Sequence, residues 1–182
     1  TERIKDLFNT SNGKYIAPQA IETKMVVDRY IDQISIIADE RKFVSALIVP
    51  DYGLVKKYAE EKGIKYETME ELLKHEAIMN LFRERIDTLQ QQFAHYEQIK
   101  KFTLLPEPFS MAKGELTNTL KIKRSVLNKN YAAEIEKMYE DYLNREDWTR
   151  RSLINIAKGG FFAADRAVRD YAENIWGVTP SK

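Results

Sequence analysis

The sequence predicts an α/β (α+β) domain: a small, mostly antiparallel sheet with flanking helices, an N-terminal hairpin, and a helical C-terminal tail. Three observations lead there. Gln33–Ala38 and Phe43–Val49 are β-rich runs joined by the charged Asp39–Lys42, the pattern of an antiparallel strand pair. Ile78, Phe82, Ile86 and Leu89 recur at helical spacing, one of several such stripes. Asn12-Gly13 separates two short apolar runs, and both residues tolerate positive φ, which marks a hairpin turn.

Taken in order, Arg3–Thr10 and Lys14–Ala17 form the arms of that hairpin. Pro18 sits where a helix begins, with Ile21, Met25, Val26 and Tyr30 as its apolar stripe. The two strands follow, and Pro50-Asp51 ends the second. Asp51 is placed to cap a helix over Tyr52–Lys62, which Gly63 stops. Thr68 and Glu71 have capping-box spacing and open a short helix to about His75. The stripe from Ile78 continues through Phe93 to Tyr96, so one long amphipathic helix is expected. Lys101–Leu105 returns as a strand that Pro106 and Pro108 break. A polar loop carries Lys121, and Val126, Leu127, Tyr131, Ile135, Met138 and Tyr142 mark the next helix. Beyond it, Trp148, Leu153, Ile154 and Ile156 predict a helix ending at Gly159-Gly160, and Ala164, Val168, Tyr171, Ala172 and Ile175 a last one.

Composition narrows the chemistry. The chain has 182 residues, 29 basic and 28 acidic, for a net charge of +1, which argues against a nucleic-acid partner. There is no cysteine and there are two histidines, His75 and His95, so thiol catalysis and a cysteine- or histidine-rich metal site are excluded; no metal ligands are assigned. No apolar run approaches the ~20 residues that span a bilayer, which leaves peripheral membrane contact open. The chain begins on Thr1 without Met or a signal peptide and is expected to be a piece of a longer cytoplasmic protein.

Two stretches carry a family resemblance. Arg3-Ile-Lys-Asp6 through Gly13, with Ile16-Ala-Pro18 and Ile21-Glu22, resembles the hinge-side motif of the adenylate-forming enzymes, in their long-chain AMP-forming acyl-CoA synthetase branch. Gly114-Glu-Leu-Thr-Asn-Thr-Leu-Lys-Ile-Lys-Arg124 resembles that branch's C-terminal lysine motif, and Phe102-Thr-Leu-Leu-Pro-Glu-Pro-Phe109 fits it too. The resemblance covers residues 1–140, which would be the mobile C-terminal domain. It implies ATP, CoA and a fatty acid as substrates, Mg2+ with the ATP, and an N-terminal adenylation domain as the partner without which this chain is inert. Lys121 matches the family lysine that bridges carboxylate and phosphate oxygens during acyl-AMP formation. Lys5 matches the hinge position, with Arg3 beside it, and Asn12 and Gly13 match the loop that lines the pantetheine tunnel when CoA attacks. There a glycine also keeps a narrow channel open. The sequence departs from the motif at Asn118, where Pro is usual, at Leu120, where other branches show Gly, and at Asn12, where a second Gly is common.

The tail over 141–182 resembles something else. Trp148-Thr-Arg150, Asn155-Ile-Ala157, Asp165-Arg166, Tyr171-Ala172 and Ile175-Trp176 look like the C-terminal end of glycogen/starch phosphorylases, so a fusion joined near Tyr139–Tyr142 is expected. Two other readings therefore stand beside the ligase domain: a fragment related to an α-glucan phosphorylase, and a non-catalytic interaction module. Without its flanking motif Lys121 would be an ordinary solvated surface lysine. Lys14, Arg83, Arg85, Lys123 and Arg124 are read as solvated rather than as CoA contacts, and the histidines as helix-surface residues.

Overall fold

The computed structural model describes residues 7–11 and 13–143. The chain splits into two units, Thr1–Tyr139 and Glu140–Lys182. Eleven elements occur in the described residues: β1 (Phe8–Asn9), β2 (Tyr15–Ile16), α1 (Pro18–Met25), β3 (Ile31–Ile37), β4 (Val44–Pro50), α2 (Tyr52–Lys62), α3 (Met69–Lys74), α4 (Glu76–Leu89), β5 (Ile99–Leu104), α5 (Arg124–Asn130) and α6 (Ala132–Leu143). The α/β class read from the sequence is the class found. The two tail helices expected after Trp148 lie outside the described residues.

β3 and β4 pair antiparallel across the charged Asp39–Lys42 turn, with Ile34 opposite Ile48 and Ile36 opposite Ala46. β5 then joins β4 in parallel, Phe102 beside Ala46 and Leu104 beside Ile48. A parallel neighbour needs a long crossover, and α2, α3 and α4 supply it. β4 is consequently central, and every residue from Val44 to Pro50 is buried, as for a strand covered on both faces. The hairpin β1–β2 forms a separate two-stranded sheet, so the strands make two sheets rather than one.

Each face of the three-stranded sheet has its own core. Ile34, Ile36, Ala46, Ile48, Phe102 and Leu104 pack with Ile21 and Met25 of α1, Val55 and Ala59 of α2, Leu72 and Leu73 of α3, and Phe82 and Ile86 of α4. On the opposite face Ile37, Leu47 and Val49 pack with Leu105, Phe109, Leu116, Leu127, Ile135 and Met138. Strand alternation sends neighbouring residues to opposite sides, which is why Ile36 and Ile37 serve different cores. The second core is roofed by the Lys121 loop and by α5 and α6. Buried apolar side chains therefore anchor the loop from beneath.

The helix ends follow the sequence chemistry. The Asp51 carboxylate accepts the Leu54 N–H at 2.9 Å, and Gly63 closes α2 at φ +66°. The Thr68 hydroxyl accepts the Glu71 N–H at 3.2 Å. His75, expected on a helix surface, is instead the N-cap of α4, its Nδ1 accepting the Ala77 N–H at 3.2 Å. Two expected helices are shorter. α4 stops at Leu89, because the buried Gln90 side chain turns back to accept the Ile99 N–H at 2.8 Å and starts β5. Phe93 and Tyr96 thus fall in turns. The stripe from Val126 to Tyr142 divides at Tyr131, whose φ of −109° separates α5 from α6. Val26 and Tyr30 lie past the end of α1, and Val26 is exposed.

Candidate functional site

The loop from Leu105 to Lys123 is built from its ends inward. The Leu105 N–H donates to the Ile48 carbonyl at 2.8 Å and extends the β4–β5 ladder by one bond. The two prolines then lead the chain off the sheet, and the Phe109 N–H donates to Oε1 of Gln33 on β3 at 2.8 Å. Gly114 takes φ +70° and lets the chain turn back, its N–H donating to the Met111 carbonyl.

Glu115 lies at the base of the loop, 1% exposed. Its carboxylate accepts the Ser110 N–H at 3.0 Å and Nδ2 of Asn130 at 3.1 Å. Its carbonyl accepts the Lys123 N–H at 2.8 Å. Burial, the Glu115 charge and a hydrogen bond to that carboxylate push the Tyr131 phenol up to about 12. Glu115 thus ties the base of the loop to Ser110 and α5 through its side chain and to Lys123 through its backbone.

The tip is a miniature hairpin. Leu116 and Ile122 form an antiparallel bridge. The Thr117 N–H donates to the Lys121 carbonyl at 2.8 Å, the Lys121 N–H to the Thr117 hydroxyl at 3.0 Å, and the Leu120 N–H to the Thr117 carbonyl at 2.9 Å. Leu120 pays for the turn with φ +58° and leaves its side chain 68% exposed. Lys121 is exposed, and among the described residues its ammonium enters no ion pair. A hydrogen-bonded turn therefore carries an exposed cation at its tip.

The second predicted loop is the β1–β2 turn. The Thr10 hydroxyl accepts the Lys14 N–H at 3.1 Å, and the Gly13 N–H donates to the Thr10 carbonyl at 2.8 Å. Gly13 has φ +70° and a Cβ there would meet nothing within 4 Å, so within this chain the glycine is required by conformation and not by space. The turn is moored to the β3–β4 connection: the Ser11 N–H donates to the Arg41 carbonyl and the Glu40 N–H to the Asn9 carbonyl. Arg3, Lys5 and Asn12, the other predicted site residues, lie outside the described residues.

Several side chains read as solvated have partners. Arg124, at the start of α5, grips Glu22 of α1 with both nitrogens, at 2.6 and 2.8 Å. Arg85 pairs with Asp28 at 2.7 Å and lies 4.1 Å from the Tyr30 ring centroid. Lys14 sits over the Tyr96 ring at 5.7 Å. Only a hydrogen-bond partner far along the chain would have disclosed these pairs. Among the described residues no cluster of three or more His, Asp or Glu could hold a metal ion, and no helix is long and apolar enough to cross a membrane.

Comparison with known proteins bears on both parts of the chain. The family model for carbohydrate phosphorylase matches residues 52–178. The peroxisomal long chain acyl-CoA synthetase 7 of Arabidopsis thaliana is 34% identical over 143 residues, covering 77% of this chain and 20% of that protein. Long-chain-fatty-acid–CoA ligase 5 of Mus musculus is 32% identical over 142 residues, covering 76% of this chain and 21% of its own. The chain spans about one fifth of the length of these curated relatives. Among solved structures, the A-PCP didomain of a carboxylic acid reductase from Segniliparus rugosus, in complex with AMP, superposes with a TM-score of 0.61 at 20% identity, over 78% of this chain and 18% of that one.

A match spanning 77% of 182 residues includes residues 43–140 wherever it lies. Over most of the chain the fold is like that of the carboxylic acid reductase didomain. The chain belongs to the carbohydrate phosphorylase family through residues 52–178, and the part that includes residues 43–140 is similar to long-chain acyl-CoA synthetases. The two matches overlap over residues 52–140, where the solved-structure likeness is to adenylation domains.

Proposed function

We propose that residues 1–140 are the mobile C-terminal domain of a long-chain fatty acid–CoA ligase, which joins a fatty acid to CoA through an acyl-AMP intermediate with release of pyrophosphate and AMP. One observation carries the reading: a lysine stands exposed, and in no ion pair among the described residues, on a hydrogen-bonded turn, in a stretch that resembles that family's lysine motif. Negative charge shifts among the oxygens around the α-phosphorus as it becomes five-coordinate in the transition state, so an ammonium delivered there lowers the barrier. Lys121 would meet the fatty acid carboxylate and the α-phosphate of ATP, with Mg2+ on the nucleotide. Lys5, with Arg3 beside it, would be the hinge. After rotation Asn12 and Gly13 would line the path of the pantetheine thiol.

The partner is the N-terminal adenylation domain, and without it the chain is inert. Its compartment is assigned as the cytoplasm, although the Arabidopsis relative is a peroxisomal enzyme. The test is reconstitution. The chain alone should release no pyrophosphate from ATP and a fatty acid, and joined after the N-terminal body of a long-chain acyl-CoA synthetase it should do so. No release from the joined protein would favour a non-catalytic interaction module.

The carbohydrate phosphorylase match over residues 52–178 supports a second reading, that the chain is a fragment related to an α-glucan phosphorylase. Pyridoxal-phosphate absorbance in the purified parent protein would extend that reading to function.

A further inference from the structure

The two loops that the proposed function uses at different steps are far apart in sequence, yet one side chain touches the supports of both. Arg124 follows Lys121 by three residues and opens α5. Its guanidinium holds Glu22 bidentately, Nη1 to Oε1 at 2.6 Å and Nη2 to Oε2 at 2.8 Å. The guanidinium carbon Cζ lies over the ring of Phe8, 5.3 Å from its centroid. Phe8 is the first residue of β1, the arm that leads into the Gly13 turn. Glu22 in turn accepts the Ile36 N–H at 2.8 Å on β3.

The pair is unlike an exposed surface bridge. The side chains are 25% and 15% exposed, the fork is bidentate, and the carboxylate has a backbone N–H as a third partner. Planarity lets guanidinium bond in its plane and stack on its face at once, which a lysine cannot do. Loop, hairpin, α1 and β3 therefore converge on one cation.

We propose that Arg124 is a positioning residue that fixes the Lys121 loop and the Gly13 hairpin into one rigid body, so that a single rotation of the domain exchanges one for the other. This rests on the proposed ligase reading for its catalytic consequence, but not for the coupling itself. Were the loops independently mobile, each would have to be ordered separately at its own step. Joined through Glu22–Arg124–Phe8, ordering either orders both.

Amide hydrogen exchange on this chain tests the coupling. Arg124→Ala should speed exchange at Lys14 in the hairpin and at Thr117 and Lys121 in the loop together, by about tenfold. Phe82 and Ile86 of α4 should not change. Glu22→Gln keeps an acceptor for Ile36 but lacks the ion pair, and should give the same pattern if Arg124→Ala fails to fold. Arg124→Lys should fail to restore the hairpin amides, because it keeps the charge and loses the fork and the stack. Acceleration in the loop alone, acceleration reaching α4, or full rescue by lysine would each overturn the proposal.

In the reconstituted ligase, Arg124→Ala should lower kcat for acyl-AMP formation about tenfold or more with the KM for ATP unchanged. A rise in KM with kcat kept would contradict positioning. If Lys121→Ala left adenylation intact, the ligase reading would fail while the exchange pattern still decided the coupling.

Discussion

Removing the Glu115 carboxylate should open the lysine loop and destabilise the domain by an amount that the structure lets one work out. The carboxylate is 1% exposed and receives the Ser110 N–H, Nδ2 of Asn130 and the Tyr131 hydroxyl. Asn130 is exposed, so water can replace its partner. Ser110 and Tyr131 are half-buried and would be left without one. At about 1–3 kcal/mol for each stranded donor, and taking the lower part of that range for half-buried groups, Glu115→Ala should lose about 2–4 kcal/mol. Glu115→Gln keeps one oxygen but turns an NH2 toward the Ser110 N–H, and should lose roughly 1–2 kcal/mol. Urea unfolding followed by far-ultraviolet circular dichroism gives both values, as a shift of midpoint at constant slope. An alanine variant within about 0.5 kcal/mol of the parent would refute the loop-closing role, since that is the ordinary scatter of surface substitutions. A loss for alanine with none for glutamine, which keeps the side-chain volume, would assign the effect to packing instead.

Three further outcomes follow from particular residues. Leu120 holds φ +58° with no Cβ-free backbone to make it easy, so Leu120→Asn should stabilise the domain by roughly 0.5–1 kcal/mol, read as a rise in the urea midpoint. Gly63→Ala meets no steric obstacle but keeps φ +66°, and should lower stability by about 1 kcal/mol in the same assay. Burial pushes the phenols of Tyr52 and Tyr131 up to about 12 from the ordinary 10.0. The folded state then holds protons that the unfolded state releases, so stability should fall as pH rises from about 10 to 12. Tyr52→Phe together with Tyr131→Phe should flatten that decline, measured as the midpoint against pH.

Much of the fold is legible because it is local. Asp51, Thr68 and Gly63 act within one helical turn of themselves, and each caps where its chemistry says it should. The β3–β4 pair is equally local, a hairpin across a short turn. The parallel partner of β4 was not legible, since nothing in Ile99–Leu104 records which edge it joins after three intervening helices. Gln90 shows a second limit. Its periodic neighbours extend the apolar stripe, and only the strand start at Ile99, which its side chain satisfies, ends the helix. At the site, the lysine motif points to Lys121 by its residue order. Glu115 lies within the same motif, but its role depends on Asn130 and Tyr131 folding over it. The Glu22–Arg124 pair joins residues 102 apart, and each alone has the composition of a solvated charge.

In the proposed ligase, Lys121 acts in one half-reaction only. In the reconstituted ligase, Lys121→Ala should reduce acyl-AMP formation by about 10²–10³-fold, while thioester formation from preformed acyl-AMP and CoA stays within about twofold of the parent. Equal loss in the two half-reactions, or none in the first, would contradict it.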